Sequence, residues 1–233
     1  MAGSRSQYTI SFDNSNNGEA TITGPDGTDK IEEIEFLQFA DTRLSVSGSP
    51  VGPPGSPSAG SQSDDDNSND TIFGGNGSDS FGGGGGADWL IGEDGADTID
   101  GGSGNDILFG RTGNDSLVGG SGVDLLFGEA GNDTLVGGAG VDNSLGGTGA
   151  DTFAYGSGSG VDGIFDFNRA EGDKLRIAAN INGSGIMTPE SAATLQINSG
   201  GNTFLYLGQS GGADQWIIVV GVAAIQASDI VIG

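Results

Sequence analysis

The sequence predicts an all-β fold: a right-handed parallel β-roll (a β-helix) of nonapeptide repeats, with a β-rich segment before it and a β cap after it. Glycine supplies 48 of the 233 residues, against a usual share of about 7%. Ten aspartates occur at a constant interval of nine residues from Asp70 to Asp151. A large apolar residue stands two places after nine of these ten aspartates. Such a fixed short period predicts a stack of equivalent coils.

The repeat has the frame G-x-x-G-x-D-x-(apolar)-x. Glycine permits positive φ angles and close backbone approach, so the first six places predict a turn. The last three predict a short strand whose middle, apolar side chain points inward while its neighbours point outward. Two repeats then make one coil, with one strand in each of two parallel sheets. Aspartates one coil apart form a first row of Asp70, Asp88, Asp106, Asp124 and Asp142, and a second row of Asp79, Asp97, Asp115, Asp133 and Asp151.

Each row predicts calcium sites. Stacked coils lie about 4.8 Å apart, so the carboxylates of one row repel one another unless cations lie between them. Turn carbonyls and flanking carboxylates are the oxygen ligands that Ca²⁺ takes. Adjacent pairs of turns predict about eight ions in two rows. The glycines of the first and fourth places complete the predicted turns: Gly74, Gly77, Gly83, Gly86, Gly92, Gly95, Gly101, Gly104, Gly110, Gly113, Gly119, Gly122, Gly128, Gly131, Gly137, Gly140, Gly146 and Gly149.

Calcium is also expected to drive folding. Residues 64–154 carry 17 acidic residues and one basic residue, Arg111. One buried apolar side chain per repeat contributes roughly 1.5–3 kcal/mol, which cannot offset the ordering of nine residues at about 1–2 kcal/mol each. We therefore expect an unfolded chain where calcium is scarce and a folded one outside the cell.

Composition excludes several other functions. The chain has no cysteine and no histidine, and its net charge is −25. Zinc, iron and copper sites of the usual kind and nucleophilic triads are therefore excluded. Nucleic acid and anionic membrane surfaces are unfavourable partners. No stretch approaches the roughly 18 apolar residues that a membrane span needs. An enzyme would have to rely on carboxylates alone, with Glu32, Glu33 and Glu35 as the available cluster, and we predict that the chain is not one.

Four parts follow from the pattern along the chain. Residues 1–48 form an N-terminal β segment, and residues 49–63 a linker rich in proline, glycine and serine. Residues 64–155 form the repeat array, in which we expect a slip or bulge where Ser144 takes the apolar place and Leu145 follows it. Residues 156–233 form the C-terminal β cap, with Pro189–Leu195 as its one short helix.

The repeat frame resembles the nonapeptide G-G-x-G-x-D-x-U-x of RTX (repeats-in-toxin) proteins, the haemolysin-type calcium-binding repeat proteins. Gly172-Asp173-Lys174-Leu175 is similar to the segment that follows such arrays. The end of the chain resembles the terminus of type I secretion substrates, with Asp229, Ile230, Val231 and Ile232 as the secretion signal. The resemblance implies a secreted, extracellular bacterial module without an N-terminal signal peptide. It also implies a type I ABC exporter as partner and a non-catalytic role in folding and secretion.

The outward positions of the two sheets differ. One face carries an apolar strip of Phe73, Trp89, Ile91, Ile107, Phe109, Leu125 and Phe127, and the other carries mainly serine and threonine. Because an apolar strip of this length is adhesive, we expect either that residues 1–48 or 156–233 cover it or that it is a subunit interface. The second case gives the alternative function, a calcium-dependent structural or adhesive protein that self-assembles into a fibre or surface layer. Ice or carbohydrate binding on the hydroxyl face is a further alternative.

Overall fold

The structure, a computed structural model, describes residues 67–233 in full and, before them, the backbone of six strands. These strands are β1 (Thr9–Asp13), β2 (Glu19–Gly24), β3 (Gly27–Ile31), β4 (Phe36–Phe39), β5 (Thr42–Ser45) and β6 (Ser61–Ser63). Strands β1, β2 and β3 form an antiparallel sheet of their own. The predicted linker of residues 49–63 lies outside the described residues except for β6.

The repeats fold into short strands that alternate between two parallel sheets. Sheet 1 receives β7 (Asp70–Asn76), β9 (Trp89–Asp94), β11 (Ile107–Thr112), β13 (Leu125–Ala130) and β15 (Asn143–Thr148). Sheet 2 receives β8 (Ser80–Gly82), β10 (Thr98–Ser103), β12 (Ser116–Gly122), β14 (Thr134–Gly140) and β16 (Thr152–Tyr155). Residues 18 apart along the chain pair between neighbouring coils, as Leu108 does with Leu126. The predicted parallel β-roll of two repeats per coil is therefore confirmed.

The core between the sheets consists of one inward side chain from each repeat. Leu90, Leu108 and Leu126 stack in sheet 1, facing Ile99, Leu117 and Leu135 of sheet 2, and all are buried. The flanking residues of each strand are more exposed, in the alternation that a three-residue strand imposes. A regular coil thus places only two large apolar side chains in the core.

The expected slip in the repeat of residues 137–145 is wrong. Asn143 pairs with Leu125, Ser144 with Leu126 and Leu145 with Phe127, so the register continues without a bulge. Ser144 points inward and is only 5% exposed, and Leu145 points outward. The parallel ladder on both sides of β15 fixes the side-chain alternation, and a single missing apolar residue does not outweigh it.

The C-terminal cap extends both sheets. Strands β17 (Val161–Ile164), β21 (Ala213–Val219), β20 (Asn202–Ser210) and β19 (Gln196–Ser199) prolong sheet 1, and β18 (Lys174–Ile177) and β22 (Ile230–Ile232) prolong sheet 2. The predicted short helix is α1 (Pro189–Thr194), capped by Thr188 and Ser191. No helix among the described residues is long and apolar enough to cross a membrane.

The end of the chain is fastened by one ion pair. Asp229 is buried, and its carboxylate accepts hydrogen bonds from Nε and Nη2 of Arg169 at 2.6–2.9 Å. This pair holds Arg169 close to the start of β22. Within the predicted secretion signal, Asp229 and Ile230 are buried, whereas Val231 is 44% exposed.

The apolar strip lies on the outer face of sheet 1. Phe73 and Trp89 are 41% and 52% exposed, whereas Ile91 is buried between its neighbours. Residues 156–233 do not fold back over the strip as one expectation had it, because their strands continue the sheets instead. Side chains of residues 1–48 lie outside the described residues.

Candidate calcium sites

The turns allow the coils to approach so closely that a side chain at the fourth place would have no room. Gly122 has φ of +140°, and a Cβ built on it would overlap the carbonyl oxygen of Gly104 in the preceding coil. Its N–H group belongs to the ladder between coils, as does that of Gly104, which donates to the carbonyl of Ser121. Only glycine satisfies both demands at this place.

Each aspartate joins its turn to the next one. The backbone N–H of one aspartate donates to Oδ1 of the aspartate one coil further on, as Asp106 does to Asp124 and Asp124 to Asp142, both at 2.9 Å. The same bond occurs throughout both rows at 2.8–3.0 Å. One carboxylate oxygen of each residue is thus used by the protein itself.

The aspartates of the two rows, linked by these bonds, are called the ladder aspartates below. In most of them the second carboxylate oxygen is buried and makes no hydrogen bond among the described residues. A buried carboxylate oxygen without a partner is costly in a folded protein, which indicates that a ligand absent here completes it. The oxygens concerned are Oδ2 of Asp97, Asp106, Asp115, Asp124, Asp133, Asp142, Asp151 and Asp162.

These oxygens border the space that the first-place glycines leave open. A Cβ built on Gly119 would lie 2.6 Å from Oδ2 of Asp124 and 2.5 Å from the carbonyl oxygen of Gly137, which belongs to the next coil. The same two kinds of oxygen meet over Gly101, at 2.6 Å from Asp106 and 2.5 Å from Gly119. A carboxylate of one turn and a carbonyl of the next therefore face a common space.

Burial raises the pKa of the ladder aspartates. Loss of water around the carboxylate is the main cause, partly offset by the backbone N–H bond to each group. The pKa rises from 3.8 to about 6 for Asp97, Asp106, Asp124 and Asp151 and to about 7 for Asp133. Neighbouring aspartates of the same row raise it further by charge repulsion. Without a cation, the ionised ladder is therefore under strain.

The donor set fits a hard cation. No three acidic side chains of residues 67–233 converge on one point, so backbone carbonyls have to supply much of the coordination shell. Ca²⁺ takes carboxylate and carbonyl oxygens together and tolerates irregular geometry. The first-place glycines, the aspartates and the carbonyls between them are the residues that would hold it.

The ladder extends beyond the aspartates that the sequence predicted. Asp142 donates its N–H to Oδ1 of Asp162, and Asp151 donates its N–H to Oδ1 of Asp173, both at 3.0 Å. Intervals of 20 and 22 residues replace the interval of 18, so a strict nine-residue count does not reach them. One part of the repeat pattern is kept at both positions. An apolar residue, Ile164 or Leu175, stands two places after the aspartate and is buried.

Second-place residues form a small polar column on the turns of the second row. Glu93, Arg111 and Glu129 all have φ between 73° and 77° and lie one above another. Arg111 pairs with Glu129 at 3.3 Å, and its guanidinium lies 5.4 Å from the ring centre of Phe109. Positive φ costs free energy in these three residues, and the exposed Arg111–Glu129 pair recovers only a small part of it.

The geometry defines a parallel β-roll whose turns present rows of buried carboxylates. In the sequence, the family model of the RTX calcium-binding nonapeptide repeat matches four times, at residues 64–89, 82–117, 109–143 and 118–153. Among solved structures, a subunit of the mannuronan C5-epimerase of Azotobacter vinelandii is 32% identical. That match covers 55% of this chain and 78% of the subunit, with a TM-score of 0.44. The extracellular lipase LipA of Serratia marcescens is 18% identical, with 71% of this chain and 38% of the lipase covered and a TM-score of 0.32.

None of the curated protein sequences matches the chain. Residues 64–153 belong to the RTX calcium-binding nonapeptide repeat family, as the repeat frame predicted.

Proposed function

We propose that this chain is a non-catalytic RTX module that folds when Ca²⁺ binds to its two rows of turns outside the cell. The observation that carries the proposal is a repeated pair of oxygens, one from a carboxylate and one from a carbonyl of the next coil. The pair faces the space over six first-place glycines: Gly74, Gly92, Gly101, Gly110, Gly119 and Gly128. The ten aspartates predicted from the sequence would be its ligands. The ions would lie in two rows, about eight within the regular repeats.

Calcium would remove the main obstacle to folding. The ladder holds aspartates whose charges are buried next to one another, and the pKa of Asp133 rises to about 7 as a result. A divalent cation between two turns offsets both charges and links the coils directly. Because the site needs two stacked coils, calcium binding and folding would be one event.

This coupling suits a protein that is exported unfolded. Cytosolic calcium is too low to saturate sites whose Kd lies at about 10⁻⁴–10⁻³ M, whereas extracellular calcium reaches that range. The chain would therefore stay extended during type I export and fold outside, where folding hinders its return. A module of this kind supports secretion and folding of the protein that carries it.

A calcium titration followed by circular dichroism and light scattering tests the proposal. The purified chain is taken from EGTA to millimolar calcium, with magnesium at the same concentrations as the control. We expect a cooperative gain of β signal and a compact monomer with calcium, and neither with magnesium. Full β signal in EGTA would refute the proposed mechanism, because the ladder would then be stable without ions.

Self-assembly through the outer face of sheet 1 is a second candidate function. The apolar strip continues beyond the repeats into a groove of about 420 Å³ on the cap, which is lined by Val161, Ile197, Phe204, Trp216 and Ile218. Within the strip, Phe109 and Phe127 stack at 4.8 Å between ring centres. Ile197 at the groove is 58% exposed. An apolar face that includes exposed side chains such as Trp89 and Ile197 is typical of an interaction surface.

Matched double variants distinguish this candidate from a monomeric module. Phe109→Ser with Phe127→Ser changes the outer face of sheet 1, and Val118→Ser with Val136→Ser changes the outer face of sheet 2. If the strip drives assembly, calcium enlarges the wild-type particle and the sheet 2 variant but not the sheet 1 variant. Monomeric wild-type protein at all calcium concentrations would refute self-assembly.

A further inference from the structure

The first row of aspartates ends in a turn that does not follow the nine-residue spacing. Residues Ser157 to Asp162 read S-G-S-G-V-D, and Ile164 stands two places after the aspartate. Gly158 and Gly160 have φ of +90° and +93°, at the two places where the repeat turns have positive φ. This segment, which we call the hidden turn, lies two residues out of phase with the repeats and outside the family match.

The hidden turn is stacked on the array as a repeat turn would be. Gly160 forms a parallel bridge to Gly140 and comes as close to it as the fourth-place glycines come to one another. The N–H of Gly163 donates to the carbonyl of Asp142 at 2.8 Å, as the N–H of Asn143 does to the carbonyl of Asp124 at 2.9 Å. The backbone therefore continues the first row by one coil.

Asp162 also has the carboxylate environment of a ladder aspartate. Its Oδ1 accepts the N–H of Asp142, while its Oδ2 is buried without a hydrogen-bond partner among residues 67–233. The whole residue is only 2% exposed. Such an oxygen is unfavourable in a folded protein unless a ligand completes it.

The second row ends differently. Oδ1 of Asp173 accepts the N–H of Asp151 at 3.0 Å, and Oδ2 accepts the N–H of Asn168 at 2.8 Å. The neighbouring carboxylate of Asp166 accepts the N–H groups of Gly146 and Gly147. Backbone donors reach all four carboxylate oxygens here, so none of them is left unsatisfied and none calls for an ion.

We propose that the hidden turn is a further calcium-binding turn, so that the first row extends by one site into the cap while the second row ends at Asp173 without one. The inference rests on the proposed function, because it assumes that the ladder aspartates bind calcium. It adds a site that joins the array to the cap. Gly160 donates its N–H to the side-chain oxygen of Gln215 and accepts the N–H of Trp216 at 2.9 Å. An ion at Asp162 would thus order β21 together with the last coil.

Asp162→Asn tests the inference, because asparagine keeps the oxygen that accepts the N–H of Asp142 and removes the charge. Asp100→Asn is the matched control, since Asp100 is exposed on the outer face of sheet 2. Calorimetry and native mass spectrometry count the bound ions. We expect about one Ca²⁺ fewer per chain for Asp162→Asn and no change for Asp100→Asn. The same count in wild type and Asp162→Asn would overturn the inference.

A second measurement does not depend on the folding of Asp162→Asn. In a Trp89→Phe background, Trp216 is the remaining tryptophan, and terbium bound at the hidden turn would be excited through it. We expect sensitised terbium emission that excess calcium abolishes, and its absence would contradict a site at Asp162. A wild-type chain that binds no calcium would instead refute the proposed function itself.

Discussion

Replacing Asp124 with asparagine should change stability in opposite directions with and without calcium. Asp124 lies in the middle of the first row, where its Oδ1 accepts the N–H of Asp106 and its own N–H donates to Asp142. Asparagine preserves both bonds, because its side-chain oxygen takes the place of Oδ1. The substitution removes only the charge and the unpartnered oxygen.

The magnitude without calcium follows from the pKa of Asp124. Burial raises that pKa from 3.8 to about 6, with the charge of Asp142 adding to the effect. A shift of this size corresponds to about 3 kcal/mol against the ionised form at neutral pH. Solvent access through the turn and the unpaired amide of asparagine reduce the gain to about 1 kcal/mol. The calcium-free fold of Asp124→Asn should therefore be more stable than wild type by about that amount.

With calcium the sign reverses, because the variant lacks one ligand at a site between two coils. Loss of roughly 1.4 kcal/mol of binding free energy per site already raises the required calcium concentration tenfold. If folding is coupled to binding as proposed, the midpoint of the calcium titration should rise by about this factor or more.

Two titrations of the same protein measure both effects. In EGTA, the osmolyte concentration that produces half of the β signal reports the calcium-free stability, and it should be lower for Asp124→Asn. In buffer without osmolyte, the calcium midpoint should be higher. Asp100→Asn, on the outer face of sheet 2, should change neither. If Asp124→Asn lowered stability in both titrations, the carboxylate would be a structural acceptor, and the reasoning from buried charge would be wrong.

Three further predictions concern pH, packing and the C-terminus. A carboxylate whose pKa is raised in the folded state stabilises the fold at pH values below the ordinary pKa of 3.8. This contribution is lost as the pH rises through the folded-state pKa, which is about 6 for Asp97 and about 7 for Asp133. Acidification in EGTA should therefore increase the β signal, and a signal that falls on acidification would contradict this. Gly122→Ala should lower the free energy of unfolding, measured by chemical unfolding with calcium, by about 3–5 kcal/mol, because the methyl group overlaps the preceding coil. Gly156→Ala should be neutral, because nothing lies within 4 Å of a Cβ at that position. Similar costs for the two variants would refute the packing argument. Arg169→Ala should cost about 2–3 kcal/mol, since it leaves the buried carboxylate of Asp229 without its cation, and hydrogen exchange of β22 should accelerate far more than that of β12, a selectivity that a general loss of structure would not produce.

The array could be predicted from the sequence because the same physical constraints recur in every repeat. The glycine of the fourth place, the aspartate and the inward apolar residue occur at fixed positions, so one error-free frame fixes turn, row and core at once. Ser144 shows the limit of reading positions singly. The missing apolar residue suggested a slip, but the ladders on both sides of β15 hold the register regardless.

The ends of the array were less accessible to sequence reasoning. Asp162 and Asp173 continue the rows at intervals of 20 and 22 residues instead of 18. Only the stacking of the coils shows where the two or four additional residues lie. The extension of both sheets by the cap could not be predicted either, because β19, β20 and β21 pair antiparallel with one another and share no period with the repeats.

The two rows run in the same direction but end on different groups. Each aspartate gives its N–H to Oδ1 of the next aspartate along the stack, so Oδ1 of the last carboxylate in each row is occupied and its Oδ2 is left for a partner from outside the repeats. In the second row that partner is the N–H of Asn168, which completes Asp173. In the first row Gln215 replaces a backbone acceptor of a following coil, because its side-chain oxygen receives the N–H of Gly160, while Oδ2 of Asp162 stays without a donor. In the folded protein, backbone groups thus close the second row without an ion, whereas closure of the first row would depend on one. The junction between array and cap should therefore respond to calcium on one side more strongly than on the other.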